Sequence, residues 1–326
     1  MTAGYKHVFR VFATVLLACS AMLAHADEWP EHPIRLIVPF PAGGPTDLIG
    51  RQVADILSKE LKASVVVDNR PGANGLLGLD VLSRAAPDGY TIGITAITLA
   101  IAPHLGLNHW DPFKDFTPIS DMVSTTPIFV ANNAAPFNTL KELANYAKAH
   151  PGQVAYGTPG ISTIPHLAAE LFQSQASIKL NHIPYKGAPQ QITDLMGGRT
   201  QLDAQSSLVV AMPFIKDNRI KALAVLSENR SPMLPDVPTA KEAGYPEMVV
   251  APWFGLGGPA GLSPEIVRKI HAALVKGLAD KQVQQQFTNM GMVLHLSKSP
   301  EEFSQYIHTE YDRWGQVIKD ANIKIE

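Results

Sequence analysis

Three observations predict an α/β chain folded into two lobes. Short β-branched runs alternate with amphipathic stretches, the pattern of βαβ units on a mainly parallel sheet. The alternation runs as one series to about residue 125 and resumes as a second from PIFVAN, 127–132. A Pro-rich return, LPDVPTAKEAGYPE, then leads to a last strand and two C-terminal helices. Two series and a return place the crossings near 124–127 and 250–253. The expected limits are 27–125 plus 250–326 for the first lobe and 126–249 for the second.

In chain order, IRLIV is the first strand and 48–61 has helical spacing. SVVVD is a second strand, NRPGANG a turn, and 76–85 a helix. TIGIT is a third strand that opens into Ala96, Ile97 and Thr98. In the second series a helix over 140–149 precedes the strand VAYGT, the small-residue loop PGIST and the helix HLAAELFQSQ. KLNHIPY, a helix around 190–196, LDAQS and IKALAVL continue it. After the strand-like VVAPWFGLGG, Ser263-Pro264-Glu265 and Ser299-Pro300-Glu301 each open a helix, with Ser as N-cap and Pro at the first helical position.

The first 26 residues follow a different logic. Lys6 and Arg10 precede a short apolar run that closes on Ala24-His25-Ala26, a small-x-small cleavage pattern. This reads as a secretory leader, with a mature chain from Asp27 in the periplasm. The alternative is acylation of Cys19 in Leu16-Leu17-Ala18-Cys19, where Leu17 is bulky for a lipobox. Cys19 is the chain's one cysteine, so the mature chain would offer no disulfide, thiol nucleophile or cysteine metal site. A formal net charge of −2 over 326 residues, with no basic patch, argues against nucleic acid or anionic membrane as partners.

Catalytic patterns are incomplete. Gly160-Ile161-Ser162-Thr163-Ile164 lacks the second glycine of a nucleophile elbow. No Walker loop is present, and the Gly255-x-Gly257-x-x-Ala260 match contains Pro259 and does not lie on a strand-to-helix turn. His104 with His109, and His166 with Glu170, lack further ligands for a metal. No catalytic residue, metal or cofactor is expected.

Two loops offer binding instead. In VPFPAGGPTD the chain leaves the C-terminal end of the first strand, where ligands bind in open α/β sheets. Gly43 and Gly44 permit close backbone approach, and Thr46 or Asp47 starts a helix whose positive end favours an anion. A second loop with Thr158, Gly160, Ser162 and Thr163 repeats the arrangement. Each loop would clamp one carboxylate, so a ligand with two acidic ends would bridge the lobes. Tyr185-Lys186-Gly187 follows a further strand, and Lys186 would add charge.

These residues resemble the substrate-binding receptors of tripartite tricarboxylate transporters, the Bug receptor family. The resemblance covers nearly the whole mature chain. It rests on PIRLIVPFPAGGPTD, VVVDNRPGANG, APDGYT, AYGTPG, HIPYKG, LAVLSENR, LPDVPTAKEAGYPE and the later PAGLSPEIV, in that order. It implies a periplasmic-binding-protein-like fold, a type II-like Venus flytrap of two α/β lobes around a ligand cleft. It implies a ligand held largely by backbone N–H groups, hydroxyls and waters. Carried over by motif, the contacts would be Phe40, Ala42, Gly43, Gly44, Pro45, Thr46, Asp47, Ala96, Ile97 and Thr98 from the first lobe. The second lobe would give Thr158, Gly160, Ser162, Thr163, Tyr185, Lys186, Gly187 and Ala188.

One departure is GGRTQLDAQSS, where many relatives carry Gly-Gly-x-Val-Asp and often a further Asp; Asp203 is displaced, with Gln205, Ser206 and Ser207 nearby. That swap of an acid for amide and hydroxyl would select a different ligand group, which makes amino-acid ligands less secure and leaves an uncharged or aromatic carboxylate open. The expected function is a monomeric receptor for a di- or tricarboxylate, or an aromatic carboxylate such as terephthalate, serving the large and small membrane subunits of a transporter. The alternatives are a periplasmic enzyme using Ser162 or Asp47, and a sensing module for a two-component system.

Overall fold

The computed structural model describes residues 29–160, 163–185, 188–205 and 207–320. The leader and Cys19 lie outside them. β1 Ile34–Val38, β2 Val65–Asn69, β3 Thr91–Ala96 and β4 Phe116–Thr125 come first. The chain then crosses and builds β5 Ile128–Asn132, β6 Ala155–Thr158, β7 Asn181–Pro184, β8 Leu202–Gln205 and β9 Ile220–Val225. It returns as β10 Trp253–Pro259 and β11 Met292–Leu294. Two sheets result, in the orders β11-β4-β10-β3-β1-β2 and β7-β6-β8-β5-β9. Each carries helices, giving two α/β lobes.

The sheets are mixed rather than mainly parallel. β1 pairs in parallel with β2 and β3, as the βαβ pattern requires, but β10 runs antiparallel to both β3 and β4. The reason is topological: the returning chain enters the first sheet from the end at which it left, so β10 must run the other way. The same logic makes β5 antiparallel to β8 and β9.

Among the described residues three helices follow the return, not two: Pro264–Leu278, Lys281–Asn289 and Pro300–Asp320. The middle one, KQVQQQFTN, fully buries only Phe287, too little for a periodic signal. Ser263 caps the first through its side chain, accepting from the Ile266 N–H at 3.2 Å.

The helix Pro45–Leu61 shows how the first loop is held. Its buried Ile49, Val53, Ile56 and Leu57 recur at helical spacing and enter the first-lobe core, Ile56 against Gly277 of the helix Pro264–Leu278. Gly50 lies over Val38; a Cβ there would sit 2.5 Å from Val38 Cγ2, so glycine sets the close approach of helix to strand. The connecting loop is short and anchored at both ends.

One apolar cluster centres on the first sheet and the helices Pro45–Leu61 and Pro264–Leu278. Another spans both lobes, joining Leu79 and Ile97 of the first to Phe129, Tyr156 and Phe172 of the second through Met248, Val250 and Trp253. Trp253 is fully buried, with Phe303 edge-on at 5.5 Å. It packs the crossing point. No helix among the described residues is long and apolar enough to cross a membrane.

Candidate ligand-binding cleft

The first loop is organised around Asp47. Its buried carboxylate accepts from the Gly43 N–H at 2.9 Å, Asn69 Nδ2 at 2.9 Å and Arg51 Nε at 2.8 Å. Burial alone would push this carboxyl up, but hydrogen bonds from Arg51, Gly43 and Asn69, with the Arg51 charge, bring it down to about 2. Asn69 also donates to the Phe40 carbonyl at 3.1 Å. The Asp47 side chain therefore belongs to its own loop, and the Gly43 N–H is committed to it. Gly43 has φ +81°, with open space where a Cβ would point.

What the loop exposes is backbone. Pro41, Ala42, Gly43 and Pro45 are exposed, Phe40 and Gly44 half-buried. Pro45 occupies the first turn, so the remaining first-turn N–H groups, at Thr46 and Asp47, have no intrahelical acceptor. Beside the loop, Ala96 ends β3, and Ile97 leads into the short helix Thr98–Ile101. Ile97 is buried and Thr98 half-buried.

The second loop has the same plan. Thr158, fully buried at the end of β6, places its hydroxyl 3.2 Å from the Gly160 N, 3.1 Å from the Gly160 O and 2.7 Å from His182 Nε2. Thr163 Oγ1 donates to the Gly160 O at 2.7 Å, and Thr163 is the N-cap of the helix Ile164–Ala176, which carries Pro in its first turn. Ser162, Lys186, Gly187 and Ser206 lie outside the described residues, as does the side chain of Ala188, which begins the helix Ala188–Met196.

Behind Thr158 lies a buried polar layer. The His166 and His182 rings are 4.4 Å apart, and Tyr156 stacks on His182 at 4.9 Å while donating to Glu170 Oε1 at 2.7 Å. Burial brings His166 down to about 4; burial, then the neighbouring His166, brings His182 to about 4. Both imidazoles are neutral at pH 7, so His182 meets the Thr158 hydroxyl as a neutral partner.

Asp203 does not face the cleft. It is fully buried on β8, in register with Gly157 of β6, where a Cβ on Gly157 would lie 2.4 Å from Asp203 Oδ1. Burial pushes its carboxyl up to about 8, against hydrogen bonds from Thr200, the Gly157 N–H and Gln205. It stays protonated at neutral pH. Gln205 is also buried, with Nε2 3.5 Å from Asp203 Oδ2. The Tyr185 hydroxyl turns to Asp194 Oδ2 at 3.1 Å, away from a ligand role for that atom.

The helix that follows the second loop meets the first lobe beside Thr98. Ile164, first residue of the helix after the second loop, lines a void of about 20 Å³ with Asn74, Leu76, Thr98 and Leu105 of the first lobe. Sequence reasoning missed Asn69, Leu76 and Ile164. The signal for Asn69 was present: it ends a strand parallel to β1, so its side chain reaches the same sheet end as the loop.

A family model described as the tripartite tricarboxylate transporter family receptor matches residues 49–323. The chain belongs to that receptor family. The receptor is 36% identical over 305 residues to the protein BugT of Bordetella pertussis, covering 92% of this chain and 93% of BugT. Among solved structures it is similar to an R. palustris protein solved with adipate, at 30% identity and TM-score 0.81, covering 91% of this chain and 99% of that one. It is similar also to MatC of Rhodopseudomonas palustris with bound malate, at 28% identity and TM-score 0.76, covering 89% and 100%. Receptors of this family bind substrate and do not convert it, which sets aside Ser162 or Asp47 as catalytic groups.

Proposed function

We propose that this receptor works in the periplasm as a monomer. It captures a small carboxylate between its lobes and delivers it to the large and small membrane subunits of a tripartite tricarboxylate-type transporter. The observation that carries the reading is the pairing of the two loops. Each leaves the C-terminal end of a strand, exposes backbone, and enters a helix whose first turn contains Pro. Two helix N-termini, each with first-turn N–H groups that lack an intrahelical acceptor, suit two carboxylate ends of one molecule. Arg51, near the start of the helix after the first loop, is tied to Asp47. Recognition then rests on backbone and hydroxyl donors rather than on formal charge.

In this reading the first-lobe contacts are the N–H groups of Thr46 and Asp47 and the Thr98 hydroxyl, with Gly44, whose N–H makes a long 3.4 Å turn bond to the Pro41 carbonyl, giving close backbone approach. The second-lobe contacts come from Gly160, Ser162, Thr163 and the segment Lys186, Gly187 and Ala188. Adipate and malate, which accompany two similar structures, both carry two carboxylates. Aliphatic dicarboxylates are therefore the first class to test, with tricarboxylates and terephthalate beside them. The lobes would divide at 125/126 and 249/250, and closure would follow because the ligand contacts both.

The test is a thermal-shift panel followed by calorimetry on the chain from Asp27. Ligand at about a hundred times its Kd adds about 2.7 kcal/mol. Stabilisation by dicarboxylates, and none by sugars or neutral amino acids, is expected. Equal indifference to every carboxylate, after refolding to strip carried-over ligand, would overturn the reading.

A further inference from the structure

The strand orders give the molecule a front and a rear. The loops after β1, β3 and β6 form the cleft on one side; β4 with β10, and β5 with β9, carry the crossings in the middle. On the far side, β11 and the turn before it face the loop that follows β9. Between them is a cavity of about 460 Å³, within the range of about 300–1,000 Å³ usual for small-molecule sites. Both crossing segments line it, through Ser124, Thr126 and Val249.

Its chemistry differs from that of the cleft. The charged groups at its margin are paired: Arg230 Nε sits 2.8 Å from Glu242 Oε2, and Lys241 bonds Glu228. The helix Lys281–Asn289 ends here, with Thr288 and, past its C-cap, Gly291 on the wall, and a helix C-terminus disfavours anions. What remains is neutral. Ser124, Thr126 and Ser231 are buried hydroxyls, each able to donate and accept, beside the apolar Met233, Met292 and Val293. Such walls fit a molecule with C–H faces and several hydroxyls.

The rear is also mechanically coupled to the front. A Cβ on Gly291 would lie 1.8 Å from Val209 Cγ2 of the second lobe, so the lobes already touch there. Rotation about the crossings that parts the cleft would pivot on this contact and narrow the cavity between β11 and the 227–233 loop. An occupant would resist that motion and favour closed lobes. We propose that this cavity is a second binding site, for a small uncharged polyhydroxylated molecule, and that its occupancy tightens carboxylate binding at the front. The coupling half of this inference rests on the function proposed above; the site itself does not.

The experiment uses the chain labelled with ¹³C at its methionine methyls, with glucose and xylitol as probes and no carboxylate present. Met233 and Met292 should shift while Met122, buried in the first-lobe core, stays fixed. Val293→Trp, at a half-exposed strand position that lines the cavity, should abolish the shifts; Ser231→Met is the second filling variant. Saturating polyol should then lower the adipate Kd about five-fold or more, and adipate should tighten polyol by the same factor. Unmoved Met233 and Met292 signals, or shifts that survive both filling variants, overturn the site. Shifts without any change in adipate affinity overturn the coupling. If adipate does not bind at all, the carboxylate reading has failed separately; small-angle scattering with and without polyol then decides whether occupancy closes the lobes.

Discussion

Replacing Asp47 with Asn tests whether the first loop is held as described. The carboxyl is lowered from 3.8 to about 2. At about 1.36 kcal/mol per unit this is roughly 2.5 kcal/mol before screening. Arg51, its ion-pair partner, is 54% exposed, so water screens part of that, leaving about 1–2 kcal/mol. Because the folded value is depressed, this stability is present above 3.8 and is lost as pH falls through 2. Asp47→Asn should lower the Tm at pH 7 by roughly 3–6 °C, and the difference from the unaltered chain should vanish near pH 2. Loosening the Gly43–Asp47 contact should also weaken dicarboxylate binding about ten-fold, or about 1.4 kcal/mol. The assays are thermal melts across pH and calorimetry at pH 7. An unchanged melt at pH 7 with an unchanged acid limb would refute the claim that Asp47 clasps the loop.

Three further outcomes follow from buried polar groups. Thr158→Val removes the hydroxyl shared by Gly160 and His182 and should cost roughly 1–3 kcal/mol of stability and about ten-fold in carboxylate affinity, read by melts and calorimetry. His166 and His182 are held neutral with folded values of about 4, below the ordinary 6.5, so stability should decline as pH falls from 6.5 toward 4. A His166→Gln, His182→Gln double variant should flatten that limb of a denaturant titration series. Asp203 is raised to about 8, so the native chain should lose stability as pH rises from 3.8 to 8; Asp203→Asn should gain relative to it over that window in paired melts.

The alternation of β-branched runs with amphipathic stretches was enough to find β1, β2 and β3, because each is a short apolar run bounded by turn residues. β4, FTPISDMVST, escaped: its Pro118, Ser120 and Asp121 break any simple pattern, and it is a strand because β10 and β11 flank it. The two strand-to-helix loops were legible from Gly43, Gly44 and Gly160. Side-chain direction was not. Asp47 looked like a helix-start acid facing a ligand, and only the parallel neighbour Asn69 and the i,i+4 Arg51 turn it inward. Asp203 looked like a wall residue, yet its strand register sets it against Gly157. Alternation along β8 gives the face but not which face is covered by the helix Ala188–Met196.

The central place of β10 has a consequence for the order in which the molecule assembles. The second sheet draws all five strands from one contiguous stretch, 128–225, and can form as soon as that stretch is available. The first sheet cannot. Until residue 259 has arrived, β3 and β4 have no strand between them, and each shows a bare inner edge able to pair with another chain. The first lobe is begun first and completed last, and a chain interrupted in its final quarter would be half native and prone to aggregate.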